Sequence, residues 1–540
     1  MAENIFIQRL CGCFKNGSQL LLFTPILLTS CKSEPKVETG NSVAEIGFYN
    51  EAHRPQFHFS PKENWMNDPN GMFYLEGKYH MFFQYYPDST VWGPMHWGHA
   101  TTSDLVHWEE QPIALYPDSL GYIFSGSAVV DVNNTSGFGN DTVAPVVAIF
   151  TYHNPVALDA GRKDFQSQGL AYSLDKGKTW TKYAGNPVLQ NNTGIQDFRD
   201  PKVIWHEASQ KWIMALAVYD RVHLYGSPNL KEWQFLSDFG IPGDTRLWEC
   251  PDLFPIRVAG TRDEKWVLLV SIQKDGPTGG TGTSYFVGDF DGETFKSNAS
   301  KQQWLDWGAD NYAFVTWGNV PLGSSRRLGI GWMSNWQYSQ QVPTHPWRSA
   351  MTVPRILELH AQDQHYFLKT LPVPAMESLQ NSGQELPTNL SGRVDISQYL
   401  NAALGELDLD IDLEATTASE FGFTLSNANG EKVSIRLRPS ADSILLDRSK
   451  SGPKGFSDAF FEAPHAAPLP KKGSVLDLRI LFDRASLELF AAEGRLTMTE
   501  IYFPSVPFNQ IEIWTKDGEL VLTGGKGYSL ASTWEIPKSE

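Results

Sequence analysis

Ser173-Leu174-Asp175-Lys176-Gly177-Lys178-Thr179-Trp180 recurs, with variation, elsewhere in the chain. Ser103-Asp104-Leu105-Val106-His107-Trp108 and Ser227-Pro228-Asn229-Leu230-Lys231-Glu232-Trp233 also place a Ser, a turn and a Trp after a strand-length run, and Asp289-Phe290-Asp291-Gly292-Glu293-Thr294-Phe295 is a looser copy. Copies about 55 to 70 residues apart suit the blades of a β-propeller, whose innermost strands converge on one axial pocket; a single sandwich fits that spacing poorly.

Around these turns lie short apolar or aromatic runs, at 79–86, 143–152, 212–218, 266–272 and 327–332, separated by Gly, Pro, Asn and Asp. They have strand lengths and no long segment of helical period interrupts them, so the class is all-β. At 365–390 the texture changes: Leu371-Pro372-Val373-Pro374 and the polar stretch 378–389 read as a linker. Alternating runs at 407–413, 433–437, 475–481, 486–490 and 511–514 then predict a β-sandwich, expected to support the first domain and not to do chemistry. The expected organisation is a signal peptide at 1–30, a polar tether at 31–52, a propeller at 53–368, a linker at 369–388 and the sandwich at 389–540.

The length of 540 residues suits two domains, and a formal charge of −17 argues against nucleic acid as a partner. Aromatics at 13%, with 18 Trp, fit rings stacked on sugars and fit core filling equally well. Near the N-terminus, Arg9 and Lys15 precede an apolar run at 20–28 that is too short to span a bilayer. Leu28-Thr29-Ser30-Cys31 then looks like the cleavage box of a bacterial lipoprotein signal. The expectation is a lipid on Cys31 and a chain anchored in the bacterial envelope, facing the periplasm or the cell exterior. Cys11 and Cys13 would leave with the signal, and Cys250 would be the sole free thiol, with no intrachain disulfide and no cysteine metal site.

Three carboxylates sit in unusual settings. In Trp65-Met66-Asn67-Asp68-Pro69-Asn70-Gly71, Pro69 and the Asn-Gly pair predict a locally encoded turn that holds Asp68 rigidly at a strand end. Asp200 lies in Phe198-Arg199-Asp200-Pro201-Lys202, and Glu249 in Leu247-Trp248-Glu249-Cys250-Pro251-Asp252. Carboxylates converging on a propeller axis suit cleavage of a glycosidic bond. One must protonate a poor leaving group while another attacks or stabilises the cation at the anomeric carbon, and mutual repulsion raises the pKa of one of them. Asp68 is the better nucleophile and the longer Glu249 the better acid. Arg199-Asp200 also reads as an ion pair within a strand. Strand alternation puts Cys250 on the face opposite Glu249, away from the axis, as a small buried residue.

The three boxes, with Trp97-Gly98-His99-Ala100, Phe124-Ser125-Gly126-Ser127 and, further on, Phe482-Asp483-Arg484-Ala485-Ser486-Leu487-Glu488-Leu489-Phe490, resemble glycoside hydrolase family 32 over nearly all of the chain beyond residue 31. This is the family of β-fructosidases that includes invertases, inulinases and levanases. The resemblance implies a five-bladed propeller followed by a sandwich, and hydrolysis with retention of configuration. It implies Asp68 as nucleophile, Glu249 as acid/base and Asp200 as transition-state stabiliser, with Asn67, Gln84, Trp92, Phe124, Ser125, Arg199 and Trp336 lining a terminal-fructose pocket. It implies no metal and no organic cofactor, and no obligate protein partner is inferred. Gly331-Trp332-Met333-Ser334-Asn335-Trp336-Gln337-Tyr338 looks more like the inulinase and levanase branch than like invertases of plants or yeast.

The expected activity is exo release of fructose from levan, inulin or sucrose. The alternatives are endo cleavage, fructosyl transfer to a sugar, and a non-catalytic surface fructan-binding lipoprotein. His96-Trp97-Gly98-His99 is expected to serve packing or hydrogen bonding in place of metal binding, and Thr278-Gly279-Gly280-Thr281-Gly282-Thr283 to form a blade turn near the pocket mouth.

Overall fold

The computed structural model describes residues 48–534, apart from 141, 298–301, 364, 440–441, 463 and 471–472. The signal segment, most of the tether and Cys31 lie outside the described residues. The described residues belong to one compact unit.

Five antiparallel sheets make five blades. Blade I holds Asn64–Leu75, Lys78–Tyr86, His96–Thr102 and Glu109–Leu115; blade II holds Tyr122–Val130, Val146–His153, Gln166–Ser173 and Thr181–Lys182. Blade III holds Phe198–His206, Lys211–Val218, Arg221–Ser227 and Gln234–Gly240, and blade IV holds Trp248–Arg257, Glu264–Ile272, Gly282–Phe290 and Phe295–Ser297. Blade V holds Tyr312–Thr316, Arg326–Met333, Arg355–Gln362 and His365–Pro372. The first strand of each blade contacts the first strand of the next, and that of blade V contacts that of blade I, so these strands ring the axis. The ring is closed by Trp347–Arg348, which follows blade V's second strand in sequence yet pairs in parallel with Asn64 and Trp65.

The recurring turn has one physical origin. In each of the four copies it joins the third strand of a blade to the fourth. Asp104, Asp175, Asn229 and Asp291 each accept backbone N–H groups of the turn, for example Val106 N at 2.9 Å and His107 N at 2.8 Å on Asp104. This is the capping for which Asp and Asn are chosen in tight turns. The Trp180 and Trp233 indoles donate back to Gly177 O at 3.2 Å and Leu230 O at 2.8 Å, which packs each ring over its own turn. Second strands are sandwiched between neighbouring blades, and Val146–His153 is buried throughout, whereas the outer strand Glu109–Leu115 keeps only Leu115 fully inside.

Two differences from the sequence expectation concern boundaries. Blade V continues to Pro372, and the stretch 369–388 also contains a 3-10 turn, Pro374–Leu379, and a short strand, Gln384–Glu385, paired with Lys526 and Gly527. Prolines that break a long strand still permit these short elements. Residues 48–52, expected as the end of a tether, are anchored at two points: Tyr49 stacks on Trp534 with ring centroids 3.9 Å apart, and Glu51 pairs with Arg54 at 2.8 Å.

The C-terminal domain is built on Gln510–Ser529, a strand long enough to serve two sheets. Its first part pairs with Glu420–Ser426 and its last with Gly405–Asp412. Alternation along these strands sends Leu407, Leu409, Ile411, Phe421, Phe423, Ile511 and Ile513 into one core. The domain meets the propeller through buried ions. His58 lies between Asp483 and Glu488, at 2.8 Å from each, and Arg355 joins Glu488 to Asp306.

Candidate active site

A cavity of about 390 Å³ opens on the propeller axis at the starts of the innermost strands. Asp68, Asp200 and Glu249 line it together with Asn67, Gln84, Trp92, Phe124, Ser125, Arg199 and Trp336, so every sequence-predicted pocket residue faces one space. No residue of the C-terminal domain is among its lining residues.

One device aims these side chains. Every innermost strand carries an extra residue near its start, with register slips between Asn67 and Pro69, Ile123 and Gly126, Arg199 and Lys202, Glu249 and Asp252, and Tyr312 and Val315. A bulge breaks the pleat and re-aims the residues beside it. Asp200, Cys250 and Ala313 adopt φ of 62°, 46° and 51° in their bulges. Asp68-Pro69-Asn70-Gly71, expected to turn the chain, instead continues along Asn64–Leu75 with two bulges, because Lys78–Tyr86 pairs on both sides of it.

The same bulge corrects the placement of Cys250. Alternation would turn it away from the axis, but its Sγ lies 3.6 Å from Asp68 Oδ2 and 3.7 Å from Asp200 Oδ2. Its backbone N–H donates to Asp200 Oδ2 at 3.0 Å. The thiol lies buried between two of the carboxylates, behind the cavity lining. Burial, then the charges of Asp68 and Asp200, push it well above its ordinary range, so it stays protonated.

Each carboxylate has a distinct setting. Ser125 Oγ donates to Asp68 Oδ2 at 3.0 Å, while Asp68 Oδ1 has no protein partner. Burial, then Glu249, raise the Asp68 carboxyl. Burial pushes Asp200 up to about 7, with Glu249 and Asp68 adding to it and Arg199 and the Cys250 amide opposing it. Glu249 is held on both oxygens: Arg199 donates to Oε1 from Nη2 at 2.9 Å and from Nε at 3.2 Å, and Tyr312 OH donates to Oε2. Arg199 Nε is also 4.0 Å from Asp200, so this guanidinium spans two of the three carboxylates. Burial disfavours its charge, but Glu249, Asp197 and Asp200 outweigh that and keep it protonated.

The walls are aromatic and polar in turn. Trp92, 37% exposed at the rim, meets Phe124 edge-on at 6.0 Å, and Phe124 stacks on His153 at 4.3 Å. Trp336 leans on Trp65 and Trp332, with ring centroids at 5.9 and 4.9 Å. Gln84 Nε2 and Trp336 Nε1 are buried donors without a protein partner, as Asp68 Oδ1 is an acceptor without one. Such groups on one cavity wall suit a ligand rich in hydroxyls.

Several site residues escaped the sequence reading. Tyr312 and Asp197 act on Glu249 and Arg199 from strand starts with no distinctive motif. Thr151 and Gln166 of blade II accept the backbone N–H of Asp200 at 3.0 Å and of Phe198 at 2.8 Å and so cradle the Arg-Asp bulge. His153 and Leu158 shape the rim, Leu158 from a short helix, Pro155–Asp159, capped by Asn154. Burial, then Arg199, lower His153 to about 4, which keeps it neutral. His99 stacks on Phe82 and lies 3.1 Å from His80, while His96 meets Pro94 O at 3.0 Å, so the histidine pair serves packing and hydrogen bonding. The glycine-rich stretch joins the second and third strands of blade IV, beside the lining residue Gln273.

Residues 58–370 match the family model described as the glycosyl hydrolases family 32 N-terminal domain, and residues 375–529 match that of the family 32 C terminal. A levanase of Bacillus subtilis is 42% identical over 524 residues, covering 96% of this chain and 75% of its own length. An extracellular exo-inulinase of Aspergillus niger is 40% identical over 531 residues, covering 91% of this chain and 97% of its own. Among solved structures, exo-inulinase from Aspergillus awamori superposes with a TM-score of 0.83 at 38% identity, over 90% of this chain and all (100%) of that one. A β-fructofuranosidase from Schwanniomyces occidentalis complexed with fructosyl-erythritol gives 0.80 at 33% identity, over 91% and 100%.

Proposed function

Since the chain belongs to glycosyl hydrolases family 32 and is a glycosidase acting on β-fructosides, we propose that it removes terminal fructose from fructans by a retaining reaction, with Asp68 as nucleophile, Glu249 as acid/base and Asp200 as transition-state stabiliser. The observation that carries this assignment is the convergence of Asp68, Asp200 and Glu249 from three blades on one cavity, with Asp68 tied to Ser125 and Glu249 to Arg199 and Tyr312.

In the first step a carboxylate oxygen of Asp68 forms a bond to the anomeric carbon as the bond to the leaving oxygen breaks, and Glu249 delivers its proton to that oxygen. In the second, Glu249 takes a proton from water, the water oxygen bonds to the anomeric carbon, and the ester to Asp68 breaks. Asp200, fixed by the Cys250 amide, accepts hydrogen bonds from fructose hydroxyls as positive charge develops on the ring. Gln84 and Trp336 offer free donors to the same sugar, and Trp92 with Phe124 gives it an apolar wall.

Exo action is supported by the pocket's modest size, about 390 Å³, and by the exo-inulinases among the proteins this chain resembles. It is tested by resolving the products of levan, inulin and sucrose over time. Fructose alone from the earliest points is expected, and early oligosaccharides would overturn exo action. We also propose a lipid anchor at Cys31 in the bacterial envelope, on the Leu28-Thr29-Ser30-Cys31 box. Cys31→Ser is expected to abolish palmitate labelling and release the protein from the membrane fraction.

A further inference from the structure

The innermost strands of blades III, IV and V belong to separate sheets and do not pair with one another, so the spacing between their side chains depends on whatever cross-links those strands. Below the cavity floor, one buried group serves three blades. Asp252 of blade IV accepts on Oδ2 the Thr316 N–H at 2.6 Å and Thr316 Oγ1 at 2.8 Å, both from blade V. The same oxygen accepts Lys202 Nζ of blade III at 3.0 Å, and Lys202 also donates to Thr316 O at 2.6 Å.

The position of this group along the strands matters. Lys202 follows Asp200 across Pro201, and Asp252 follows Glu249 and Cys250 across Pro251, at the far edge of the two catalytic bulges. Proline fixes one backbone angle, so displacement of Lys202 or Asp252 is transmitted into the bulge and not absorbed before it. On the other side, Lys202, Asp252 and Thr316 line a second cavity, of about 430 Å³, so close packing from below does not hold these strands. The arrangement is also a poor one for stability alone. Three donors crowd one oxygen of a fully buried Asp252 while its Oδ1 has no protein partner, and such half-satisfied buried charge is costly.

We propose that the Lys202–Asp252–Thr316 cross-link is a positioning device for the reaction, setting the separation of Asp200 and Glu249 from beneath. It rests on the catalytic roles proposed above. The three residues touch no substrate, so their loss acts on turnover through geometry and leaves ground-state sugar binding largely intact.

The test measures kcat, KM and melting temperature of the full chain on sucrose and inulin for Lys202→Met, Thr316→Val and Asp252→Asn. About tenfold or greater loss of kcat is expected with KM changed by less than about twofold, since small misplacements are costly to the chemical step. Lys202→Arg should recover part of the loss, and Lys202→Met/Asp252→Asn should be no slower than the slower single variant. Ile204→Ala, in the same lower cavity but outside the cross-link, should lower the melting temperature and spare kcat. Unchanged kcat in folded Lys202→Met and Thr316→Val overturns the proposal, and these two carry the test where Asp252→Asn does not fold. Asp68→Asn in the same series separates the two levels. Turnover surviving there removes the carboxylate assignment and this proposal with it, whereas its loss beside full activity of the Lys202 and Thr316 variants removes the cross-link alone.

Discussion

Asp200 shows what the site costs at the level of a single residue. Burial, with Glu249 and Asp68 close by, pushes its carboxyl up to about 7, so the folded protein holds this proton more tightly than the unfolded chain does. That proton linkage favours folding below the ordinary carboxylate range and is lost as pH rises through about 7. Asp200→Asn, which carries no charge at any pH, is therefore expected to melt higher than the unchanged protein at pH 8, with the difference closing toward pH 4. Its kcat should fall by about 10³-fold or more. Thermal melts at both pH values, beside turnover, check this. A lower melting temperature at pH 8 would mean that Arg199 and the Cys250 amide gain more from the ionised group than burial costs. The carboxylates were legible in sequence because each sits in an uncommon local pattern of Asn, Arg, Trp and Pro. Tyr312 and Asp197 were not, because nothing in Asp310-Asn311-Tyr312 or Gln196-Asp197-Phe198 distinguishes a residue that folding brings to a distant carboxylate or guanidinium.

At the level of the element, the bulged innermost strand is the unit of function, and here the sequence misleads in a definable way. Strand lengths, turn chemistry and the all-β class follow from apolar runs and Asp-capped turns, which are local. A bulge depends on the partner strand: Glu249 pairs opposite Ser271 and Asp252 opposite Leu269, and only that mismatch shows that one residue has no partner. Alternation applied across the bulge therefore placed Cys250 on the wrong face. With φ of 46°, Cys250 occupies a conformation that β-branched residues rarely adopt. Cys250→Ala keeps the backbone's steric demands and should keep most of the stability. Cys250→Val should cost about 1 to 3 kcal/mol more in denaturant unfolding and at least about tenfold more in kcat, by distorting the bulge that aims Glu249. Equal behaviour of the two variants would show that the bulge tolerates other backbone angles and that the thiol's bulk alone matters.

At the level of the whole molecule, the two domains are joined by buried charge, which pattern reading does not register because His58, Arg355, Asp483 and Glu488 lie far apart in the chain. Among the described residues, the cavity that holds the three carboxylates is lined by the propeller alone, and the C-terminal domain meets the propeller at this seam. His58 is its most pH-sensitive member. Burial works against its charge, but bonds to Asp483 and Glu488 outweigh that and raise it from 6.5 to about 9. A histidine raised in the folded state contributes stability that is fully present below its unfolded pKa and lost as pH rises through about 9; the shift corresponds to about 3 kcal/mol. His58→Gln is neutral at every pH, so it should be markedly less stable than the unchanged protein at pH 6 and approach it by pH 10. Glu488, which burial alone would raise, is held below its usual range by Arg355 and His58, so it stays ionised throughout this interval and does not reverse the sign. Denaturant melts at pH 6, 8 and 10 measure the gap, and kcat at low temperature, where both proteins are folded, should differ little. A gap that stays constant across that range would place the role of His58 in its shape and hydrogen bonds, and would leave Arg355 as the cation that holds the domains together.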